Sequence, residues 1–221
     1  IGSNNAFSAL VLPQIISEFN RLYPGVDVKL SEGNIAYLEE KLFKGDLDLV
    51  LDNHPMDESI YQRELFCSEQ LLLAVPVSDP VCTQNRSCAL THADILSKKH
   101  IDPLTPCISM ETFQDHTFIA LRHGNDTRIQ LDSLCEQAGF TPKIQLEVDQ
   151  LTTYNIVCNN IGITLVSDTL VTRTPPVSNL VYYKINSDHT KRFAYFYYKN
   201  SSYVTLAMRE FIKLGIDNIQ R

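Results

Sequence analysis

The chain has 221 residues, 44% of them hydrophobic and 20% charged, with a formal net charge of -7. That is enough apolar material for a substantial core and too little charge for a disordered chain, and an acidic balance without any dense Lys/Arg run speaks against direct binding of duplex DNA by this polypeptide. No apolar run approaches the roughly 18 residues that a membrane span needs, and the opening IGSNNAFSALVLPQ lacks the basic region and apolar core of a signal peptide, so the expectation is a cytoplasmic chain with no membrane partner.

In chain order, a buried start at Ile1 and the polar loop Ser3-Asn4-Asn5 precede a helix whose Leu12, Ile15, Ile16, Phe19, Leu22 and Tyr23 keep the i, i+3, i+4 spacing of one apolar face. Pro13 lies inside that pattern and is expected to kink or restart it. Val26, Val28 and Leu30 alternate with Asp27 and Lys29 as in a strand. Asn34 then caps a helix that carries Ile35, Leu38 and Leu42, and Gly45 stops it. The apolar stretch Leu47 to Leu51 closes a βαβαβ run and ends in Asp52 and Asn53. IYQRELF and QLLLAVP read as two further strands, the second continuous and deeply buried. After Pro76 the polar, turn-rich VSDPVCTQNRSC marks a boundary, and Thr91 caps a short helix. A second βαβαβ-like unit follows. It comprises the strand FIAL ending at Arg122, a helix carrying Ile129, Leu131, Leu134, Cys135 and Ala138 that stops at Gly139, the strand KIQLEV, a helix capped by Asp149, and the strand ITLV after Gly162. NLVYYKI, FAYFYYK and a helix from about Tyr203 complete the chain. This alternation predicts an α/β fold with mainly parallel sheets.

The six cysteines, at positions 67, 82, 88, 107, 135 and 158, include no C-x-x-C pair and no zinc-like His/Cys spacing. They are expected to be small buried hydrophobes in a reducing compartment. Cys82 and Cys88 lie close together in a polar stretch and are the pair for which a disulfide is weighed. No metal or cofactor site is expected. G-x-S-x-G, P-loop, H-E-x-x-H and G-x-G-x-x-G motifs are absent from the sequence, and no catalytic residue is assigned.

Several ordered segments carry a resemblance. Leu12-Pro13, Phe19, Tyr23-Pro24, Gly33, and then Leu42, Gly45, Leu47, Asp48 and Leu49 follow the pattern of the effector-binding domain of LysR-type transcriptional regulators. ELFCSEQLLLAVPVSDP is similar to a second family segment, with Asp79 where the family has His. CEQAGFTPKIQLEVDQLTTYNIVCNNIGITLVSD is similar to a third, with Asn160 in place of a Gly and Asp168 in place of a Pro. The resemblance covers essentially the whole chain. It implies the type-2 periplasmic-binding-protein fold: two α/β subdomains joined by crossover strands, with a ligand cleft between them. Subdomain I is expected to comprise 1–76 plus 169–221, and subdomain II 77–168. It further implies a small-molecule effector, a homodimer (a tetramer in the full-length protein), and DNA contact only through an N-terminal winged helix-turn-helix that this sequence does not contain. A solute-binding protein of the same fold, serving a transporter or receptor, is the alternative.

Ligands of open α/β sheets bind beyond the carboxyl ends of parallel strands, where helix N-termini favour anions. The candidate ligand contacts are therefore Ser3, Asn4, Asn5, Ser31, Gly33, Asn34, Asp52, Asn53, Arg122, His123, Asn125, Asp149 and Thr152. Arg122 is the carboxylate anchor, unless Asp126 claims it as a surface ion pair. Asp52 supplies the opposite charge, which points to an amino acid or another small amine-bearing carboxylate ahead of a plain dianion.

Overall fold

The computed structural model describes residues 1–219. In chain order the elements are β1 (Gly2–Ser3), α1 (Asn5–Leu10), α2 (Leu12–Leu22), β2 (Ser31–Glu32), α3 (Ile35–Lys44), β3 (Val50–Asp52), β4 (Tyr61–Pro76), α4 (Pro80–Gln84), β5 (Ala89–Leu90), α5 (His92–Leu96), β6 (Thr117–Leu121), α6 (Asp126–Gln137), β7 (Lys143–Val148), α7 (Gln150–Cys158), β8 (Thr164–Ser167), α8 (Asp168–Arg173), β9 (Leu180–Lys184), β10 (Lys191–Lys199) and α9 (Leu206–Ile219). The chain folds as two units, 1–68 with 193–221 and 69–192. It passes from one to the other inside β4 and returns inside β10. These crossings differ from the expected boundaries near 76 and 168. Leu71 to Ala74 pair with β8, and Leu72 to Pro76 pair with β9, so the second half of β4 and the segment 169–192 belong to the second unit.

In the first unit the strand order is β2-β1-β3-β10-β4. β1 lies parallel to both β2 and β3, and β10 runs antiparallel to β3. The strand expected over 26–30 does not form; pairing begins after it, at Ser31–Glu32, because its neighbour β1 is only two residues long. β3 is likewise shorter than the apolar run that contains it. The chain breaks at Val11 and restarts as α2 with Pro13 in its first turn, a position where the missing proline N–H costs nothing. Phe7, Leu12, Ile15 and Phe19 bury one side of these helices against Leu51, Phe66, Phe196 and Phe211. The rings meet edge to face, Phe66–Phe196 and Phe19–Phe211 each at 5.2 Å between centroids. A second cluster joins Leu38 and Leu42 of α3 to Val50, Met56, Tyr61 and Tyr197. α3 ends as expected, with Gly45 left-handed at φ 81° and its amide returning to the Leu42 and Lys41 carbonyls.

In the second unit β4 pairs antiparallel with β8 and β9, β9 pairs antiparallel with β5, and β6 pairs parallel with β7. The sheets are therefore mixed rather than mainly parallel, since hairpin-like returns bring β8 and β9 back along β4. The core gathers Leu71, Leu73, Val75, Phe113, Phe118, Leu131, Leu134, Ile163, Leu165 and Tyr183. Leu71 to Val75 are fully buried, as their unbroken apolar run predicts. The two strands read on either side of Ser68 are one strand of 16 residues. Their polar junction is accommodated because Glu69 is buried against a charged partner. The cysteines divide: Cys67 and Cys135 are buried as expected, but Cys107 is exposed.

Candidate functional site

Each unit presents a polar edge at the carboxyl ends of its parallel strands. In the first unit the register sets Gly2 beside Ser31 and Val50, and Ser3 beside Glu32 and Leu51. The residues that follow, Asn4-Asn5, Gly33-Asn34 and Asp52-Asn53, consequently stand together. Asn4 caps α1 by accepting from the Phe7 amide at 3.1 Å, and its Nδ2 donates to Asp52 Oδ2 at 3.2 Å. Asp52 is buried and also accepts from the His54 amide at 2.9 Å. Asn5 Nδ2 donates to Glu32 Oε1 at 3.2 Å, and the Gly33 amide donates to the Ser3 carbonyl at 3.2 Å. Asn34 caps α3 through the Tyr37 amide at 2.9 Å. The Ser3 hydroxyl is fully buried and donates to the Leu51 carbonyl at 2.8 Å, tying β1 to β3. Asn53 is buried. Ser31 stands apart: it faces Tyr37 and lines a cavity of about 610 Å³ with Ile1, Phe19, Leu49 and Phe211. This edge carries two carboxylates, Glu32 and Asp52, among amide side chains.

In the second unit Leu121 pairs with Val148, so Arg122 and Asp149 leave β6 and β7 side by side. The Arg122 amide donates to the Val148 carbonyl at 3.3 Å, and its side chain is exposed. Asn125 caps α6 by accepting from the Thr127 amide at 2.9 Å. Asp149 caps α7, accepting from the Thr152 amide at 2.9 Å and the Thr152 hydroxyl at 2.8 Å. Partial burial pushes the Asp149 carboxyl up, but the Thr152 amide and hydroxyl, with Arg122 adding a smaller share, outweigh it and hold it below the usual range. Two helix N-termini, of 12 and 9 residues, and an exposed guanidinium therefore share one edge. That combination suits an anion. His123 is 75% exposed at its side chain and lies 3.6 Å from Glu147 and 3.3 Å from Arg128 Nη2.

Asp126 does not pair with Arg122. Its carboxylate accepts from Arg192 Nη1 at 3.0 Å, while Arg192 Nε donates to Glu69 at 2.9 Å and Nη1 also reaches the Thr127 hydroxyl at 2.8 Å. The three charged side chains are only 10%, 1% and 14% exposed for Arg192, Glu69 and Asp126. This cluster holds the first turn of α6, directly after the Arg122 loop. A second buried arginine, Arg128, binds Asp132, Glu147 and the Leu121 carbonyl. Neither cluster was anticipated. The available signal was strand alternation: Arg192 shares the inward parity of Ala194, Phe196 and Tyr198, all buried.

Both Asp substitutions in the family pattern are paired with histidines. Asp79 accepts from His116 at 3.2 Å beside a cavity of about 300 Å³ that includes Ser78, Asn160 and Gly162. Asp168 meets buried His100 at 2.9 Å and accepts from the Gln70 amide at 3.1 Å. Among the described residues no group of three or more His, Cys, Asp or Glu is placed to hold a metal ion, and no helix is long and apolar enough to cross a membrane.

Comparison with known proteins gives this geometry its family. The model of the LysR substrate binding domain matches residues 1–217. An uncharacterized HTH-type transcriptional regulator of Bacillus subtilis, YcgK, is 24% identical over 212 residues, which is 96% of this chain and 64% of that protein. The chain thus spans under two thirds of this relative. Among solved structures, the regulatory domain of Synechocystis CcmR in complex with 2-PG superposes with a TM-score of 0.78 at 16% identity, covering 98% of this chain and 94% of that one. The BenM effector binding domain with its effector benzoate gives 0.72 at 18% identity, covering 99% and 89%. These domains have the type-2 periplasmic-binding-protein-like fold, and this chain shares it. A match across almost the whole length places the chain in the LysR substrate-binding-domain family.

Proposed function

We propose that this chain is the effector-sensing part of a longer, cytoplasmic bacterial transcription regulator, and that its effector is a small polar metabolite bearing a carboxylate. DNA binding and assembly into higher oligomers then belong to the whole protein. The observation that carries the reading is the edge formed by Arg122, Asn125 and Asp149, where an exposed guanidinium adjoins two capped helix N-termini. A guanidinium binds a carboxylate in bidentate fashion, and the oriented backbone amides add to the attraction. Benzoate, the effector of BenM, is itself a carboxylate. Within the first unit, the edge that carries Glu32 and Asp52 suits a positive group; an amino acid or amine-bearing carboxylate is the class proposed ahead of a plain dianion. Binding favours one conformation over another, and the regulator reads that shift in population.

The domain acts as a homodimer. Ile129 on α6 and Leu22 on α2 are each 47% exposed on helices whose other faces are buried, leaving apolar surface for a symmetric partner. Mass spectrometry of small molecules released from the purified protein tests the ligand class. A polar carboxylate is expected; a purely apolar ligand would contradict the reading.

A further inference from the structure

Three of the six cysteines gather in one part of the second unit. Cys82 and Cys88 pack beside the core that contains Tyr183, and the β9 register brings Cys107 to the same place. Ala89 pairs with Tyr183, so the preceding residue, Cys88, stands at Lys184. Ile108 bridges to Ile185 and its amide donates to the Lys184 carbonyl at 2.8 Å, so the residue before it, Cys107, also stands at Lys184. The Cys88 side chain agrees with the register, its thiol donating to the Cys107 carbonyl, Sγ to O 3.7 Å, while the Cys107 thiol donates to the nearby Thr105 carbonyl at 3.9 Å. Cys107 is exposed and Cys88 half-buried, so both are open to a dissolved oxidant. The other thiols are placed differently. Burial pushes the Cys135 thiol up to about 12, with Asp132 adding to the effect. Burial likewise raises Cys82, whose thiol donates to the Pro76 carbonyl at 3.3 Å. A thiol held protonated is a poor nucleophile.

We propose that Cys88 and Cys107 form a reversible intramolecular disulfide when the protein meets a hydroperoxide. The Cys107 thiol gives up its proton and the thiolate attacks a peroxide oxygen; the O–O bond breaks, a sulfenic acid forms, and the departing hydroxide takes up that proton and leaves as water. The Cys88 sulfur then attacks the Cys107 sulfur; the S–O bond breaks and a second water leaves, taking the Cys88 proton. Two thiols lose two electrons and hydrogen peroxide gains them. A small thiol reverses the bond by exchange. The closed loop encloses β5 and α5, the segment that also carries His92, bonded to the Val171 carbonyl at 2.9 Å, and His100, bonded to Asp168 at 2.9 Å. Oxidation therefore fixes this segment to the β9 edge.

The test treats the reduced, dilute full chain with a slight excess of hydrogen peroxide and follows thiol content and intact mass. The expected result is loss of two of the six thiols and a mass lower by about 2 Da. Trypsin should then yield peptides 87–98 and 100–122 joined, each containing one cysteine. Cys107→Ser should abolish the crosslink, Cys88→Ser should leave a trappable sulfenic acid on Cys107, and Cys82→Ser should change nothing. Survival of all six thiols, a crosslink that includes Cys82, a disulfide between chains, or direct oxidation of Cys107 to sulfinic acid without a crosslink would each overturn the proposal. The Cys107→Ser and Cys88→Ser variants alter accessible side chains, and their circular dichroism should match that of the wild type.

Discussion

The guanidinium of Arg122 is exposed at the end of β6, whereas that of Arg192 is enclosed by Glu69, Asp126 and the Thr127 hydroxyl. The same functional group therefore gives opposite mutational signatures. Arg122→Ala removes only an exposed, minor electrostatic contribution to Asp149 and should shift stability by no more than about 0.5 kcal/mol. Arg192→Ala takes the cation out of a buried cluster and leaves two carboxylates without it, a loss of about 3–5 kcal/mol. Urea titration of both variants measures the contrast; equal stabilities would refute it. The sequence showed Arg122 through its place after a short apolar strand. It hid Arg192, because a charged residue at a strand start looks like a solvated tip until its inward parity is followed along β10. Asp126, weighed as the alternative partner of Arg122 because it is near in sequence, instead turns its carboxylate toward Arg192.

At the scale of elements, caps and stops were the most legible features, because they depend on local chemistry. Asn34 and Asp149 cap helices as their positions predict, and Asn125 caps α6 as well. Thr91 goes further: it forms a reciprocal capping box with Asp94 at the start of α5. The Thr91 hydroxyl and amide lower the Asp94 carboxyl from 3.8 to about 2. Because the folded value is depressed, the stabilisation is complete above the unfolded value and is lost as the pH falls through the folded one. Thr91→Ala should cost about 1 kcal/mol at neutral pH, and the difference from wild type should shrink between about pH 4 and pH 2. A pH-independent difference would show that the cap is not the cause. Gly162 is a second local determinant. Its φ is 64°, and a Cβ there would come within 2.8 Å of the Thr117 carbonyl. Gly162→Ala should lower stability by about 1–3 kcal/mol, measured by thermal melting. Strand extents were less legible, because they depend on partners. Residues 26–30 alternate well but join no ladder, pairing beginning only at Ser31–Glu32, and the polar Ser68–Gln70 junction lies within a continuous β4 because Arg192 meets Glu69.

For the molecule as a whole, the fold class followed from the order of helix and strand signals and from the family pattern. The unit boundaries did not, since they lie inside two strands that carry no turn residues at the crossing. The candidate ligand contacts were legible as loops at strand ends, though several of them, including Ser3 and Asp52, are committed to bonds that build the edge. Dimerisation is a prediction at this scale. Light scattering at micromolar concentration should give twice the chain mass of 25.1 kDa, and a monomeric mass would count against it. The central claim, that the Arg122 edge receives the carboxylate of a small polar effector, is tested most directly by calorimetric titration of amino acids and small carboxylates into the wild type and Arg122→Ala. A charged hydrogen bond of about 1.5–3 kcal/mol predicts that the best ligand binds the variant at least tenfold more weakly. Binding confined to apolar or aromatic compounds, and unchanged in Arg122→Ala, would contradict the account.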